Sequence, residues 1–295
     1  MSRRAAGPPI TAPPAGPPSP TGAASPSQGA GTRRSRRDAA RGELVEAVTG
    51  AFPAAPIGRH QRRPIAVVTG ATSGIGLAIA QDLSRDHDLI LMARTQSDLD
   101  DLAVALRQHA GTRVRAVAVD LTDDEALAHE VASLRLPRLD VLVHSAGVEA
   151  PGRVEELEPA QWRSALNLDL VAVAHLTKLL LPALRVRKGL VVMINSGAGH
   201  RSFVGQALYC AAKHGLRALA DCLREEERGD LRVTTIYPGR VDTPLLRRLQ
   251  EDAGQEYRPA EYMTPDSVAS AVRVAVDMPQ GAAVEDLMVR PSQLT

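Results

Sequence analysis

From residue 65 onward, short apolar runs alternate with longer amphipathic stretches. Ile65-Ala66-Val67-Val68 precedes a glycine-rich turn and helical spacing over Gly74–Leu83. Leu89–Met92 precedes a helix near Gln96–His109, and Val114–Val119 one near Asp123–Leu134. Val141–Val143 leads to a long helical stretch from Pro159 to Val186. Leu190–Ile194 leads to helical spacing over Val204–Arg228, and Val233–Tyr237 and Ala283–Val289 close the series. Strands that are apolar throughout, separated by helices, form a parallel sheet covered on both faces. The pattern therefore predicts an α/β fold, a doubly wound parallel sheet of about seven strands with helices on both faces. In such sheets ligands lie at the carboxyl ends of the strands, so the residues just after each run carry the chemistry.

Residues 1–62 lack this alternation. Residues 1–37 are rich in Pro, Ala, Gly and Ser, with six arginines and no acid. Such a segment buries too little apolar surface to offset its chain entropy, so 1–62 reads as a disordered tail and linker, and 63–295 as the folded domain. The tail holds nine arginines against Asp38, Glu43 and Glu46, so the formal net charge of +1 hides a mildly acidic body. An acidic body argues against nucleic acid as the main partner. Cys210 and Cys222 share one predicted helix and stand too far apart to bridge, which suits reduced thiols and a cytoplasmic location. No apolar run reaches 18 residues, so no membrane span is expected.

Of 35 basic residues only Lys178, Lys188 and Lys213 are lysines. Lys213 follows Tyr209 by four residues, which puts phenol and ammonium on one helix face. A nearby cation favours phenolate and makes the tyrosine a usable proton donor and acceptor. After the first strand comes Gly70-Ala71-Thr72-Ser73-Gly74-Ile75-Gly76. A glycine turn between strand and helix lets backbone approach a pyrophosphate, with the helix N-terminus facing it. After the second strand stands Arg94, where an acid would bind the ribose of NAD; an arginine suits a 2′-phosphate and NADP(H).

The Gly-xxx-Gly-x-Gly spacing with Tyr-xxx-Lys downstream resembles the short-chain dehydrogenase/reductase family over residues 63–295. The resemblance implies a Rossmann fold and a nicotinamide-dependent oxidoreductase acting on a small carbonyl/alcohol pair. It implies cofactor contacts from Gly70, Thr72, Ser73, Gly74, Ile75 and Gly76. Further contacts would come from Asp120-Leu121, Ala146-Gly147, Pro238-Gly239 and Thr243. It casts Ser196, thirteen residues before Tyr209, as the hydroxyl that orients the substrate oxygen, and Tyr209 and Lys213 as catalytic and cofactor-binding at once. His144 reads as a structural hydrogen-bonder. One position departs from the family: Asp169 stands where an asparagine joins a proton relay to the lysine, and Asn167 lies two residues off. An ionised Asp169 accepts but does not donate, and it disfavours tyrosinate at Tyr209. Val204 and Leu208 are expected to line the pocket, with Pro244–Tyr262 as a lid over it. Pairing through the long fourth and fifth helices is implied, giving a homodimer or homotetramer. A non-catalytic nucleotide-binding scaffold on the same fold is the alternative reading.

Overall fold

The computed structural model describes residues 63–292; the expectations for the tail fall outside them. Seven strands form one parallel sheet: β1 (Ile65–Thr69), β2 (Asp88–Ala93), β3 (Val114–Ala118), β4 (Val141–His144), β5 (Leu190–Ile194), β6 (Arg232–Pro238) and β7 (Asp286–Val289). Their order is β3-β2-β1-β4-β5-β6-β7. The chain winds outward from β1 to β3, then returns to the other side of β1 at β4. That reversal opens a crevice at the carboxyl ends of β1 and β4.

The helices are α1 (Gly74–Leu83), α2 (Gln96–Ala110), α3 (Asp124–Leu134), α4 (Pro159–Leu166), α5 (Ala172–Arg187), α6 (Ala207–Glu226), α7 (Pro244–Asp252) and α8 (Pro265–Val276). Successive strand residues point to opposite faces, and two separate cores follow. Ala66, Val68, Leu89, Leu91 and Val143 pack under Ile79, Leu83, Leu102 and Val272 of α1, α2 and α8. Val67, Ile90, Leu142 and Val191 pack under Leu127, Leu176, Leu180 and Leu216 of α3, α5 and α6. This is the doubly wound, Rossmann-like arrangement.

Three boundaries differ from the sequence reading. The long helix from Pro159 is interrupted at Asn167–Val171 by a wide π turn, closed by the Ala172 amide on the Asn167 carbonyl. The helix expected from Val204 starts at Ala207, because Gly205 has φ +74 and cannot continue it. Strand β7 starts at Asp286 rather than Ala283. Among the described residues one helix, Pro159–Arg187, is long and apolar enough by length and composition to cross a membrane. In this fold Val173, Leu176, Leu180 and Leu184 of that helix are buried against the sheet.

Candidate active site

The turn after β1 is set by close approach. A Cβ on Gly76 would stand 2.2 Å from the Gly70 carbonyl oxygen, and one on Gly70 would stand 2.9 Å from Ala146 Cα. Only glycine fits at either point, so β1, α1 and the segment after β4 meet without side chains between them. Thr69 seals the junction: its Oγ1 accepts from the amides of Ser145 (3.0 Å) and Ala146 (3.1 Å). The α1 N-terminus has no side-chain cap from Ser73 and no acid in its first turn. Its amides and dipole are thus left for an outside anion. Thr72 is half-buried and Ser73 exposed beside them.

Arg94 is exposed at the end of β2, and its charge reaches Asp120 at the end of β3. The Thr122 amide and hydroxyl donate to Asp120 Oδ1 and hold this carboxyl below its ordinary range, with Arg94 adding to the effect. The Leu121 side chain is buried in the second core, so a nucleotide would meet its backbone.

The catalytic candidates converge between β4, β5 and α6. Tyr209 and Lys213 are one turn apart, with the Lys213 ammonium 5.6 Å from the Tyr209 ring centre. The π turn swings Asp169 inward, where it is 1% exposed and its Oδ2 lies 3.3 Å from Lys213 Nζ. Oδ1 accepts from the Val148 amide at 3.0 Å, while Oδ2 makes no well-aligned hydrogen bond and relies on the ion pair. Gly147 is needed for this pair: its Cβ would sit 3.2 Å from Asp169 Oδ1 and 3.5 Å from Lys213 Nζ. Gly147 therefore borders the Asp169–Lys213 pair. Asn167 turns away toward the Thr122 carbonyl.

Burial pushes the Tyr209 phenol above its ordinary pKa. Lys213 and the Ser196 hydroxyl pull it down, and Glu149 and Asp169 push it up. Lys213 thus favours the phenolate, as the pair's spacing led one to expect, and burial works against it. Burial opposes the charge on Lys213, but Asp169, Tyr209 and Glu149 outweigh it and hold the ammonium above its ordinary value. Glu149, half-buried on the segment after β4, is raised by burial against the pull of Lys213 and Arg240.

Ser196 is half-buried at the end of β5. Its Oγ accepts from the Ala198 amide, and its own amide donates to Asn195 Oδ1 at 2.8 Å. Asn195 in turn donates to the Lys213 carbonyl at 3.0 Å, which locks the serine turn to α6. Thr243 Oγ1 caps α7 by accepting from the Leu246 amide, and its Cγ2 abuts Gly74. The loop after β6, with Pro238 and Gly239, thus closes on the glycine turn.

The short chain dehydrogenase family profile matches residues 64–254. The chain belongs to this family. Its members are oxidoreductases acting on CH–OH groups, and this chain is one of them. An uncharacterized oxidoreductase of Staphylococcus saprophyticus is 29% identical over 238 residues, covering 77% of this chain and 96% of the relative. The solved alcohol dehydrogenase of the archaeon Thermococcus sibiricus, complexed with 5-hydroxy-NADP, is 31% identical. It has a TM-score of 0.71 and covers 77% of this chain and 96% of its own. An actinorhodin polyketide ketoreductase variant with NADPH is 29% identical at TM-score 0.72, covering 79% and 98%.

Two expected pocket residues stand elsewhere. Leu208 is fully buried in a small core with Leu157 and Ala165, because helix α6 turns that face inward. Val204 is 90% exposed, on the turn that Gly205 creates. His144 is buried beside Thr177 Oγ1 at 2.8 Å, and burial holds its pKa near about 3, so it stays neutral. Within the expected lid, α7 and its flank are tied down by Arg247 and Tyr257 on Asp242 and by Tyr262 on Gln250. Sequence reasoning missed Glu149, Asn195 and Thr69. Only Asn195 and Thr69, polar residues closing apolar runs, carried a local signal.

Proposed function

We propose that this chain is an NADP(H)-preferring reductase or dehydrogenase that interconverts a small carbonyl and a secondary alcohol. The observation that carries the reading is the convergence of Ser196, Tyr209 and Lys213 beside a glycine turn with uncapped helix amides. That turn fits a pyrophosphate, and Arg94 beside it fits a 2′-phosphate. The NADP-type ligands in the two related structures support the same choice.

A bound nicotinamide supplies or takes the hydride. Tyr209 then hydrogen-bonds the substrate oxygen, giving its proton in reduction and taking one in oxidation. Ser196 donates to the same oxygen and stabilises the charge that develops there. Lys213 lowers the cost of tyrosinate and offers its ammonium to ribose hydroxyls. Asp169 keeps Lys213 charged, at the expense of raising Tyr209. Two free cysteines suit a reducing cytoplasm, and family membership supports a homodimer or homotetramer.

Titration of the purified protein with NADPH and NADH tests the reading. Tight NADPH and weak NADH are expected, with Arg94→Ser narrowing the gap. NADH preference would remove the Arg94 assignment, and failure to bind either nucleotide would overturn the reading as a whole.

A further inference from the structure

Gly197 and Gly239 sit in the two loops that would flank the reacting atoms, yet neither adopts a left-handed backbone. Their missing side chains therefore serve space rather than conformation. A Cβ on Gly197 would meet the terminal nitrogens of the Arg290 guanidinium, at 3.1 Å from Nη2 and 3.3 Å from Nη1, with Cζ at 3.5 Å. A Cβ on Gly239 would meet the Arg290 stem at Cδ (3.3 Å) and Pro291 Cδ (3.0 Å). The Gly239 amide donates to the Val289 carbonyl at 2.7 Å, and Arg290 Nη1 donates to the Tyr237 carbonyl at 3.4 Å. The chain leaving β7 thus lies across both loops. Among the described residues Arg290 has no carboxylate partner, so an ion pair does not explain its placement.

We infer that Arg290 is a positioning residue: its stem and guanidinium strap Gly197 and Gly239 together and fix the Ser196 turn relative to the Pro238–Thr243 loop. The inference rests on the reading of Ser196 as the hydroxyl that orients the substrate oxygen. Asn195 anchors that turn to α6 from within. Arg290 holds it where β7 ends. The guanidinium suits this role because it is flat and fits against a glycine, which a lysine ammonium does not reproduce.

A double-mutant cycle on full-length protein tests it, with Arg290→Ala, Arg290→Lys, Gly197→Ala and the Gly197→Ala/Arg290→Ala pair. Arg290→Ala is expected to lower kcat about tenfold through a misplaced serine, with a smaller loss in NADPH affinity from the loosened Pro238–Thr243 loop. Arg290→Lys is expected to restore little of it. Gly197→Ala is expected to be damaging beside Arg290 but to add little once Arg290 is gone, since the clash and the strap disappear together. NADPH binding stoichiometry normalises each variant for folded protein. Unchanged kcat in Arg290→Ala, or single effects that simply multiply in the double variant, would overturn the strap. If wild type binds NADPH but turns over no carbonyl, the catalytic reading fails by itself. The same cycle read in thermal midpoints then decides the strap, with additive shifts rejecting it and non-additive shifts supporting it.

Discussion

Replacing Asp169 by asparagine removes one buried charge and leaves the side-chain shape almost intact. The Asp169 Oδ2 to Lys213 Nζ separation is 3.3 Å. At an effective dielectric constant of about 20, that separation corresponds to an attraction of about 5 kcal/mol. An amide oxygen in the same place retains a hydrogen bond to the ammonium, of about 1.5–3 kcal/mol. The difference leaves Lys213 poorer by about 2–3.5 kcal/mol, at or below the low end of the cost of deleting a buried partner outright. Because Lys213 is raised above its ordinary value, the pair's contribution is complete below the ordinary lysine pKa. It fades only as pH climbs through the folded-state value. Urea unfolding at neutral pH therefore reads the full loss. Kinetics read the other half. Asp169 raises both Tyr209 and Lys213, so both pKa values fall in Asp169→Asn. In alcohol oxidation Tyr209 acts as the base, so the acid limb of kcat/KM moves to lower pH. A profile that superimposes on wild type, or shifts to higher pH, refutes this reasoning.

Other consequences are equally direct. Glu149→Gln removes a second charge that raises Tyr209, so the same limb moves to lower pH while NADPH affinity holds, checked by pH–rate profiles and titration. Arg273 joins α8 to Asp82 (2.7 Å) and Asp86 (2.8 Å), and Arg273→Ala is expected to cost about 2–4 kcal/mol in denaturant unfolding. Burial works against ionised Asp86, but bonds from His87 and Arg273 bring its pKa down to about 2. Its contribution is present above the ordinary carboxylate pKa and lost as pH falls through about 2, so the Arg273→Ala protein unfolds at higher pH on acidification. Gly76→Ala drives a Cβ into the Gly70 carbonyl and is expected to abolish nucleotide binding. Gly205→Ala meets no atom within 4 Å and suffers only backbone strain of about 1–2 kcal/mol, read from thermal midpoints.

The strands were legible because a parallel sheet buried on both faces writes itself as uninterrupted apolar runs, and Val67 and Val68 serve opposite cores from adjacent positions. The glycine turn and the Tyr209/Lys213 pair were legible because their spacing is local. Distance along the chain concealed contacts made by closing the fold that no motif marked. Glu149 comes beside Tyr209 because the segment after β4 returns there, pinned by the Gly152 amide on the Gly205 carbonyl at 2.7 Å. The inward turn of Asp169 depends on a π turn, which leaves no mark in a 3.6-residue pattern. Leu208 was misplaced because an apolar helix position serves core and pocket equally well in sequence. The net rise of the Tyr209 pKa is a sum over burial and four neighbours, of which spacing revealed only Lys213, Ser196 and Asp169.

Tyr209→Phe, compared with wild type for turnover of a carbonyl panel with NADPH and for NADPH Kd, tests the central claim most directly. The phenolic hydroxyl is the only group removed, so the variant is expected to bind NADPH as wild type does and to lose turnover. Equal turnover in both proteins, or tight NADPH binding with no turnover by wild type, would contradict a Tyr209-centred oxidoreductase.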